Sequence, residues 1–188
     1  MNLLAGNKYV VRAIRPDDWE RVKELRLDAL RDPVAHLAFL ETYENAAAKP
    51  DSFWQDRAVT SGEGSTTARQ VIAETADGSW AGSVTVLVEE AGTTDWAGFP
   101  VERRQGHVVG VFVRPEHRGN GVIEALFKAG VAWAWEQQAE RVRLFVHEDN
   151  ARAQAAYRKI GFAPSGLVVS FSKDEAEKEL EFVLERSV

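Results

Sequence analysis

The feature that most constrains this sequence is a strand that runs directly into a glycine-containing turn and a helix. Val108–Val113 is a nearly continuous apolar run, as expected for a strand covered on both faces. The turn Arg118-Gly119-Asn120-Gly121 follows, and a helix is predicted from about Val122 to Gln138. Such a turn exposes backbone N–H groups at a helix N-terminus, where the helix dipole also favours an anion. The segment therefore predicts a cradle of pyrophosphate size.

The two commonest nucleotide-binding patterns do not describe this turn. Glu124 stands where the third glycine of Gly-x-Gly-x-x-Gly would be, and no Gly-Lys-Ser/Thr sequence follows. Gly119 and Gly121 lack Cβ atoms, so a phosphate could approach closely, and Arg118 adds a positive charge. Taken alone, the segment is explained equally well by a strand-to-helix turn that binds nothing.

The remaining elements predict one mixed α/β domain that spans residues 1–188. β-Branched residues between turn signals mark the strands, and Pro16 and Asn150 mark helix starts. Residues 33–49 show no clear period, and residues 89–106 are predicted to form a long loop. Besides the strand and helix above, the predicted strands are 8–14, 70–75, 83–88, 142–146, 167–172 and 180–184, and further helices begin at Pro16, Phe53 and Asn150.

Composition excludes several classes of site. The chain has no cysteine, which excludes disulfides, thiolate metal ligands and a cysteine nucleophile. The formal net charge of −6 opposes binding to a nucleic-acid backbone. Glu124 and Lys128 interrupt the most apolar stretch, so no membrane span is predicted, and the apolar N-terminal stretch is too short for a signal peptide. We therefore expect a soluble cytoplasmic protein with a small-molecule or peptide-like partner.

A second segment adds specificity to the first. The segment begins at Leu144, within the predicted strand 142–146, and a helix follows from Asn150 to Gly161. Together the two segments closely resemble the GNAT acetyltransferase family, whose cofactor motif is Gln/Arg-x-x-Gly-x-Gly/Ala. That motif corresponds here to Arg118-Gly119-Asn120-Gly121-Val122-Ile123, and the family's later segment is matched at Leu144, Val146, Asn150, Ala153, Tyr157, Gly161 and Phe162. The resemblance covers nearly the whole chain.

The resemblance implies a fold, a cosubstrate and a reaction. It implies a mixed sheet of about six to seven strands with about four helices, in which two parallel strands splay apart around acetyl-CoA. The main chains of Val111, Phe112 and Val113 would hold the pantetheine arm, and residues 118–123 would hold the pyrophosphate. An amine would attack the thioester directly, without a covalent enzyme intermediate and without a metal.

One position departs from the family pattern. Ile123 replaces the small residue that usually closes the cofactor motif, in the first turn of the predicted helix. Its side chain would either crowd the cofactor phosphates or point into the core, since a β-branched residue still forms helix. The sequence leaves both alternatives open.

The resemblance makes Tyr157 the general acid. A phenol is a suitable proton donor to a developing thiolate, and Tyr157 shares the inner face of its helix with Ala153 and Ile160. We favour this role over simple packing. For Asn150 we favour helix capping, with a cofactor contact as the alternative.

The general base is less well determined. His107 begins the cofactor strand, where some family members place a catalytic glutamate, and an imidazole of pKa about 6.5 could accept a proton there. The favoured interpretation is nevertheless an exposed histidine at a strand end. Glu41 and Glu44 are alternative bases or acceptor-binding carboxylates, each more simply interpreted as a solvated acid. Residues 147–149, His-Glu-Asp, point in alternate directions along an extended segment, so no metal site is predicted there.

The sequence does not name the acceptor. We expect a primary amine of a small molecule or a protein, and Trp96 could form a wall of its pocket. Acidic residues at Glu41, Glu44 and 174–177 weakly favour a cationic acceptor. Two rival hypotheses are a catalytically silent acyl-CoA-binding or regulatory domain, and a structural module that associates through its sheet edge. Whether the chain forms a homodimer stays open.

Overall fold

The computed structural model describes residues 2–3, 8–171 and 176–188. The strands are β1 (Asn2–Leu3), β2 (Tyr9–Ala13), β3 (Ala68–Thr75), β4 (Trp80–Glu89), β5 (Gln105–Val113), β6 (Arg141–His147), β7 (Ala163–Val169) and β8 (Glu179–Glu185). The helices are α1 (Trp19–Arg31), α2 (Ala35–Ala38), α3 (Tyr43–Ala47), α4 (Asp51–Thr60), α5 (Val122–Glu136) and α6 (Ala151–Ile160). The predicted strand 167–172 begins earlier, at Ala163, and Ser172, Asp174 and Glu175 lie outside the described residues.

The strands form one sheet in the order β1-β2-β3-β4-β5-β6-β8-β7. Its neighbouring strands are antiparallel except for β5 and β6, which are parallel. The predicted mixed sheet is confirmed, and the two-residue strand β1 adds an eighth member to the seven predicted strands. Because β5 and β6 run the same way, the segments that follow them both leave from the same edge of the sheet.

Alternate residues along the central strands divide the core between the two faces of the sheet. Ile72 and Phe112 belong to one cluster with Trp54 of α4 and residues of α1. Their chain neighbours Val71 and Val113 belong to the other cluster, with residues of α5. Burying each large apolar side chain stabilises the fold by roughly 1.5–3 kcal/mol. Since helices cover both faces, a ligand can reach the middle of the sheet only through a gap between strands.

Residues 33–49 differ from the expectation of an irregular connection. They contain the short helices α2 and α3, so the structure has six α-helices where about four were expected. The hydroxyl of Thr42 caps α3 by accepting a hydrogen bond from the N–H of Asn45 at 3.2 Å. Helices of four and five residues are too short to show a helical period, which is why the sequence pattern did not reveal them.

Candidate active site

The parallel strands β5 and β6 pair briefly and then separate. Residues 105–107 of β5 face residues 141–143 of β6, and Val108–Val113 has no partner on that side among the described residues. The splay that the family resemblance implied is therefore present. A cavity of about 330 Å³ occupies this gap, and its lining extends from Tyr157 of α6 to Arg57 of α4. Its volume lies within the usual range of small-molecule sites.

A bulge in β5 lies beside this gap. Opposite Val84 of β4, strand β5 contributes two residues, Gly110 and Val111. Gly110 has a φ of +63°, a left-handed conformation that glycine adopts without a steric penalty. A bulge leaves backbone groups of its strand unpaired. These groups lie at the wall of the cavity, which Val109, Gly110 and Val111 line.

The three residues predicted to hold the pantetheine arm are placed differently from one another. Val111 lines the cavity. The Phe112 side chain packs in the cluster beside α1 and α4. The Val113 carbonyl accepts a hydrogen bond from Nε of Arg118 at 2.9 Å. Of these three residues, Val111 is the one that lines the cavity, next to Val109 and Gly110 at the bulge.

The loop between β5 and α5 has the geometry expected of an anion cradle. Gly119 and Gly121 have φ values of +79° and +77°, and a Cβ added to either would meet no atom within 4 Å. Gly121 is also the N-cap residue of α5. Within residues 8–171 and 176–188, no acceptor takes the N–H groups of residues 119–123. These donors remain available to an anion at the helix N-terminus.

Arg118 does not point freely into the cradle. Its Nη2 donates to Oδ2 of Asp32 at 2.7 Å, in addition to the bond from Nε to Val113. Burial raises the pKa of Asp32, but the N–H of Val34 and the charge of Arg118 outweigh this effect and lower it. Arg118 therefore joins the loop to the end of α1, and its charge is already partly neutralised.

The structure indicates where Ile123 points. Its side chain is half-buried and packs against the core cluster that α5 forms with the sheet. Val122, before it, is 1% exposed, and Glu124, after it, pairs with Lys159 at 3.0 Å. Of the two alternatives for Ile123, core packing is the one observed. The reason for expecting crowding of the cofactor is thereby removed.

Tyr157 is buried and lines the cavity, yet its hydroxyl makes no hydrogen bond to any described residue. A buried tyrosine hydroxyl that serves only packing usually has a partner. Burial, with a smaller contribution from the charge of Glu179, raises the pKa of Tyr157, so the phenol keeps its proton. Tyr157 is therefore a hydrogen-bond donor available to a ligand.

Asn150 serves as the helix cap that the sequence predicted. Its Oδ1 accepts a hydrogen bond from the N–H of Ala153 at 3.2 Å, at the start of α6. The same residue lines the cavity. Because only the carbonyl oxygen is used for capping, the side-chain NH₂ group stays available to a ligand.

The expectation of an exposed histidine at a strand end is wrong for His107. It is the third residue of β5, is 1% exposed, and lines the cavity where the strands separate. Its Nδ1 lies 3.0 Å from Oε2 of Glu89. Burial raises the pKa of Glu89, but the hydrogen bond and charge of His107 and the charge of Arg143 outweigh it and lower the pKa. Glu89 is thus an ionised acceptor and Nδ1 of His107 is the donor, while Nε2 makes no hydrogen bond to any described residue.

Glu89 belongs to a buried polar network that the sequence analysis missed. Nη2 of Arg143 donates to Glu89 at 3.1 Å and to Asp95 at 2.6 Å, and Nη1 donates to Glu181 at 3.2 Å. Arg143 and Glu181 are charged residues within the strands β6 and β8. Such residues in otherwise apolar strands were the available signal, because a buried charge needs a partner.

The network also holds the long loop between β4 and β5. The second carboxylate oxygen of Asp95 accepts the N–H groups of Ala97 and Phe99 at 2.9 and 2.8 Å. Trp96 lies between Asp95 and the first of these N–H groups, and its ring stacks on His107 with centroids 6.3 Å apart and planes 30° apart. Trp96 lines the cavity, in agreement with its predicted place as a wall.

Three members of this region have the residue types of a metal site. Glu89, Asp95 and His107 offer ligand atoms that lie within 4.8 Å of one another. Arg143 already donates to both carboxylates, so a cationic group takes the position that a metal would need. The cluster is therefore a site for a guanidinium, and it holds His107 in place.

Glu179 is a second titratable group that the sequence analysis missed. It is half-buried, lines the cavity and faces His147 across the β6–β8 pair. Burial, followed by the charge of Glu177, raises the pKa of Glu179 to about 7, although the charge of His147 opposes the change. At neutral pH this carboxyl is close to half ionised. A titration in this range is characteristic of functional sites.

Glu41 and Glu44 are poorly placed as bases. Arg26 donates to Glu41 at 2.9 Å, and Lys49 donates to its other oxygen. Burial raises the pKa of Glu41, but these two partners outweigh it and lower the pKa. Glu44 is exposed and lines a neighbouring cavity.

Residues 147–149, at which the sequence predicted no metal site, form other contacts in the structure. His147 pairs through Nε2 with Glu177, while its Nδ1 accepts the backbone N–H of Asp149 at 3.0 Å. Both ring nitrogens of His147 are therefore occupied. Within the described ranges, residues 147–149 do not converge as ligands.

A family model supplies the deciding comparison. The model of the Acetyltransferase (GNAT) family matches residues 19–162, a range that contains the cradle loop, the splayed strands and Tyr157. This chain belongs to the GNAT family. The resemblance noted from the two sequence segments is confirmed.

Curated relatives of this GNAT protein match it over shorter ranges. A mycothiol acetyltransferase of Saccharomonospora viridis is 38% identical over 91 residues, which are 48% of this chain and 28% of that protein. An aminoglycoside N(6')-acetyltransferase type 1 of Acinetobacter haemolyticus is 32% identical over 68 residues, 36% of this chain and 47% of that protein. The chain spans less than two thirds of the length of the first curated relatives.

A solved structure shows the likeness of the fold. The PaiA N-acetyltransferase from Thermoplasma acidophilum, in complex with coenzyme A, superposes with a TM-score of 0.67. The match covers 92% of this chain and 97% of that chain, at 15% sequence identity. The GNAT fold is thus shared over nearly the whole length.

Proposed function

We propose that this GNAT protein transfers an acetyl group from acetyl-CoA to a primary amine. The observation that carries the proposal is the composition of the one cavity between the splayed strands. It contains a tyrosine hydroxyl that has no partner among the described residues, and a histidine held by a carboxylate. Acetyl transfer needs a donor for the leaving sulfur and an acceptor for the proton of the amine. The acetyltransferase names of the relatives support the same reaction.

The direction of the cosubstrate follows from the positions of its two binding segments. The free N–H groups of residues 119–123 would bind the pyrophosphate beyond the C-terminal end of β5. The backbone of Val109–Val111 would then bind the pantetheine arm as it runs back along β5. His107 lies at the far end of the gap, so the thioester would approach it. Acetyl-CoA, when bound, supplies an acetyl group whose C–S bond breaks as the N–C bond forms.

His107 is the residue we assign as the general base. Its Nε2 would accept a proton from the ammonium of the acceptor, either directly or through one water molecule. The resulting amine then attacks the thioester. Glu89 acts as a positioning residue, because its hydrogen bond to Nδ1 keeps Nε2 directed to the amine. Arg143 in turn donates to Glu89, and Trp96 stacks on the ring of His107.

Tyr157 would stabilise the leaving sulfur by hydrogen bonding. An ordinary thiol has a pKa of about 8.5 and an ordinary phenol one of about 10. Since burial raises the pKa of Tyr157 further, full transfer of its proton to the thiolate is unfavourable. Tyr157 therefore donates a hydrogen bond as charge develops on sulfur, and the proton that neutralises the thiolate comes from the amine through His107 and solvent.

The proposed activity is tested by thiol release from acetyl-CoA with a panel of primary amines. The panel contains amino acids, polyamines, aminoglycosides and peptides with a free N-terminus. We expect at least one amine to yield free thiol and N-acetylated product in equal amounts. Calorimetric titration with acetyl-CoA accompanies the assay. Binding without turnover for every amine would favour the silent acyl-CoA-binding domain, and absence of binding would contradict both functions.

Glu179 is expected to bind the ammonium of the acceptor and not to act as its base. Because its pKa is about 7, the KM for the amine should fall as the pH rises through about 7 and the carboxylate forms. Glu179→Gln should abolish this dependence and raise KM above pH 8 by about fivefold, with little change in kcat. KM and kcat are measured between pH 5.5 and 9. The exposed Glu44→Gln serves as the control, and a fall in kcat of about 100-fold in Glu179→Gln would make Glu179 the base.

We further propose that residues 1–188 act as one domain, because strands from both ends of the chain belong to the same sheet. No helix in the described ranges has the length and apolar character needed to cross a bilayer. The cytoplasmic location and the absence of a nucleic-acid partner stay predictions.

A further inference from the structure

The cavity contains a guanidinium that the protein itself does not neutralise. Arg57 of α4 lines the cavity, and its guanidinium forms no hydrogen bond and no ion pair with any described residue. Burial and the nearby charge of Arg26 lower the pKa of Arg57, and the charge of Glu41 compensates only in part. A cation withdrawn from water without a counter-charge is unfavourable. An anionic ligand at this position would remove that cost.

Glu41 cannot serve as the missing counter-charge. Its Oε2 accepts from both Nε and Nη2 of Arg26, at 3.2 and 2.9 Å, and its Oε1 accepts from Lys49. The local group therefore contains three cations, Arg26, Arg57 and Lys49, against one carboxylate. Nη1 of Arg26 also has no partner among the described residues. An arginine pair with free N–H groups is well suited to bind a carboxylate.

The rest of the cavity is lined by apolar residues, a carboxyl group and an imidazole. Leu37, Phe39 and Leu40 form apolar walls beside the two arginines. Glu179 and His107 also line the cavity, and these are the groups assigned above to the ammonium and its proton. One acceptor molecule in this cavity would therefore have both cations and a carboxylate available to it.

We propose that the acceptor is a small primary amine that carries a carboxylate, and that Arg57, with Arg26 beside it, binds that carboxylate. That the amine is acetylated rests on the proposed function. That a carboxylate binds in the same cavity rests on the cavity lining alone. It replaces the weak expectation of a cationic acceptor. That expectation relied on Glu41, which two cations already neutralise, and on Glu177, which pairs with His147. It also relied on Glu44, which lines a neighbouring cavity, and on Asp174 and Glu175, which lie outside the described residues.

The test uses product analogues, so that it does not depend on turnover. N-Acetylated forms of a panel of amino acids, and the corresponding carboxamides, are titrated calorimetrically into the protein saturated with CoA. For at least one pair we expect the carboxylate to bind wild type about tenfold or more tightly than its amide. In Arg57→Gln this preference should fall to within about twofold, whereas Arg57→Lys should retain part of it.

Arg31→Gln is the matched control, because it removes one arginine charge from α1 at an exposed position outside the cavity. It should keep the full preference for carboxylates, and a thermal melt shows whether each variant is folded. The inference is overturned if no pair shows the preference in wild type, or if folded Arg57→Gln retains it. If Arg57→Gln does not fold, the inference is decided by the ratio of carboxylate to carboxamide affinity, measured in wild type and in Arg57→Lys. A failure of thiol release with a preserved preference would contradict the proposed reaction and leave the carboxylate site intact.

Discussion

Gly121→Glu is expected to weaken the binding of CoA by at least about 100-fold, the largest effect that we predict on affinity. Gly121 has a φ of +77°, and open space surrounds the position of an added Cβ. A glutamate there would place its carboxylate among the N–H groups of residues 119–123, which are the donors assigned to the pyrophosphate. It would both occupy the helix N-terminus and repel the incoming phosphates. Calorimetric titration with CoA measures the change.

Backbone strain has to be separated from loss of the site in that experiment. A side chain in the left-handed region costs roughly 1–2 kcal/mol wherever it occurs. Gly78 has a similar φ of +86°, also with nothing within 4 Å of an added Cβ, and lies outside the cradle. Gly78→Glu should therefore show comparable destabilisation with unchanged CoA affinity. Unchanged affinity in Gly121→Glu itself would mean that the pyrophosphate binds elsewhere.

Tyr157→Phe should lower kcat by about 10²–10³-fold, the magnitude typical of one lost donor to developing charge. The substitution keeps the ring and its contacts with Phe127 and Phe162. Because the hydroxyl has no partner among the described residues, stability should hardly change. Affinity for acetyl-CoA should also change little, since the bond strengthens only as charge develops on sulfur. The measurement is kcat with the best amine of the panel, together with a thermal melt.

Tyr9→Phe provides the matched control for that variant. Tyr9 is equally buried, but its hydroxyl is bonded to Nδ1 of His117 at 2.9 Å and does not line the cavity. Its loss should cost about 1 kcal/mol of stability and leave kcat unchanged. A Tyr157→Phe enzyme with kcat within about threefold of wild type, with chemistry rate-limiting, would make Tyr157 a packing residue.

Local sequence signals predicted the scaffold of the site well. The apolar run before Arg118, the glycines of the turn and the helix after them appear in the structure at nearly the predicted bounds. Asn150 and Gly161 likewise begin and end α6 as expected. These features depend on residues close together in the chain, where propensity, capping and glycine conformation decide the outcome.

Long-range contacts explain the errors. His107 was expected to be exposed because its strand seemed to begin at Val108, but β5 begins at Gln105 and buries the ring beside Glu89. Arg118 was expected to serve phosphate alone, yet Asp32, far away in the chain, takes part of its charge. A single sequence does not show which charges meet across such distances.

The sequence by itself therefore indicated most of the elements, the glycine turn between β5 and α5, the cap at Asn150 and the resemblance to a family. Only the tertiary structure decided which ionisable groups are available for chemistry. Arg26 and Lys49 neutralise Glu41, whereas Arg57 and Glu179 line the same cavity and have no such partners in the part of the chain that the structure describes. The physical reason is that turns and caps are set by neighbouring residues, while the charge state of a side chain depends on burial and on partners that only the folded chain brings together.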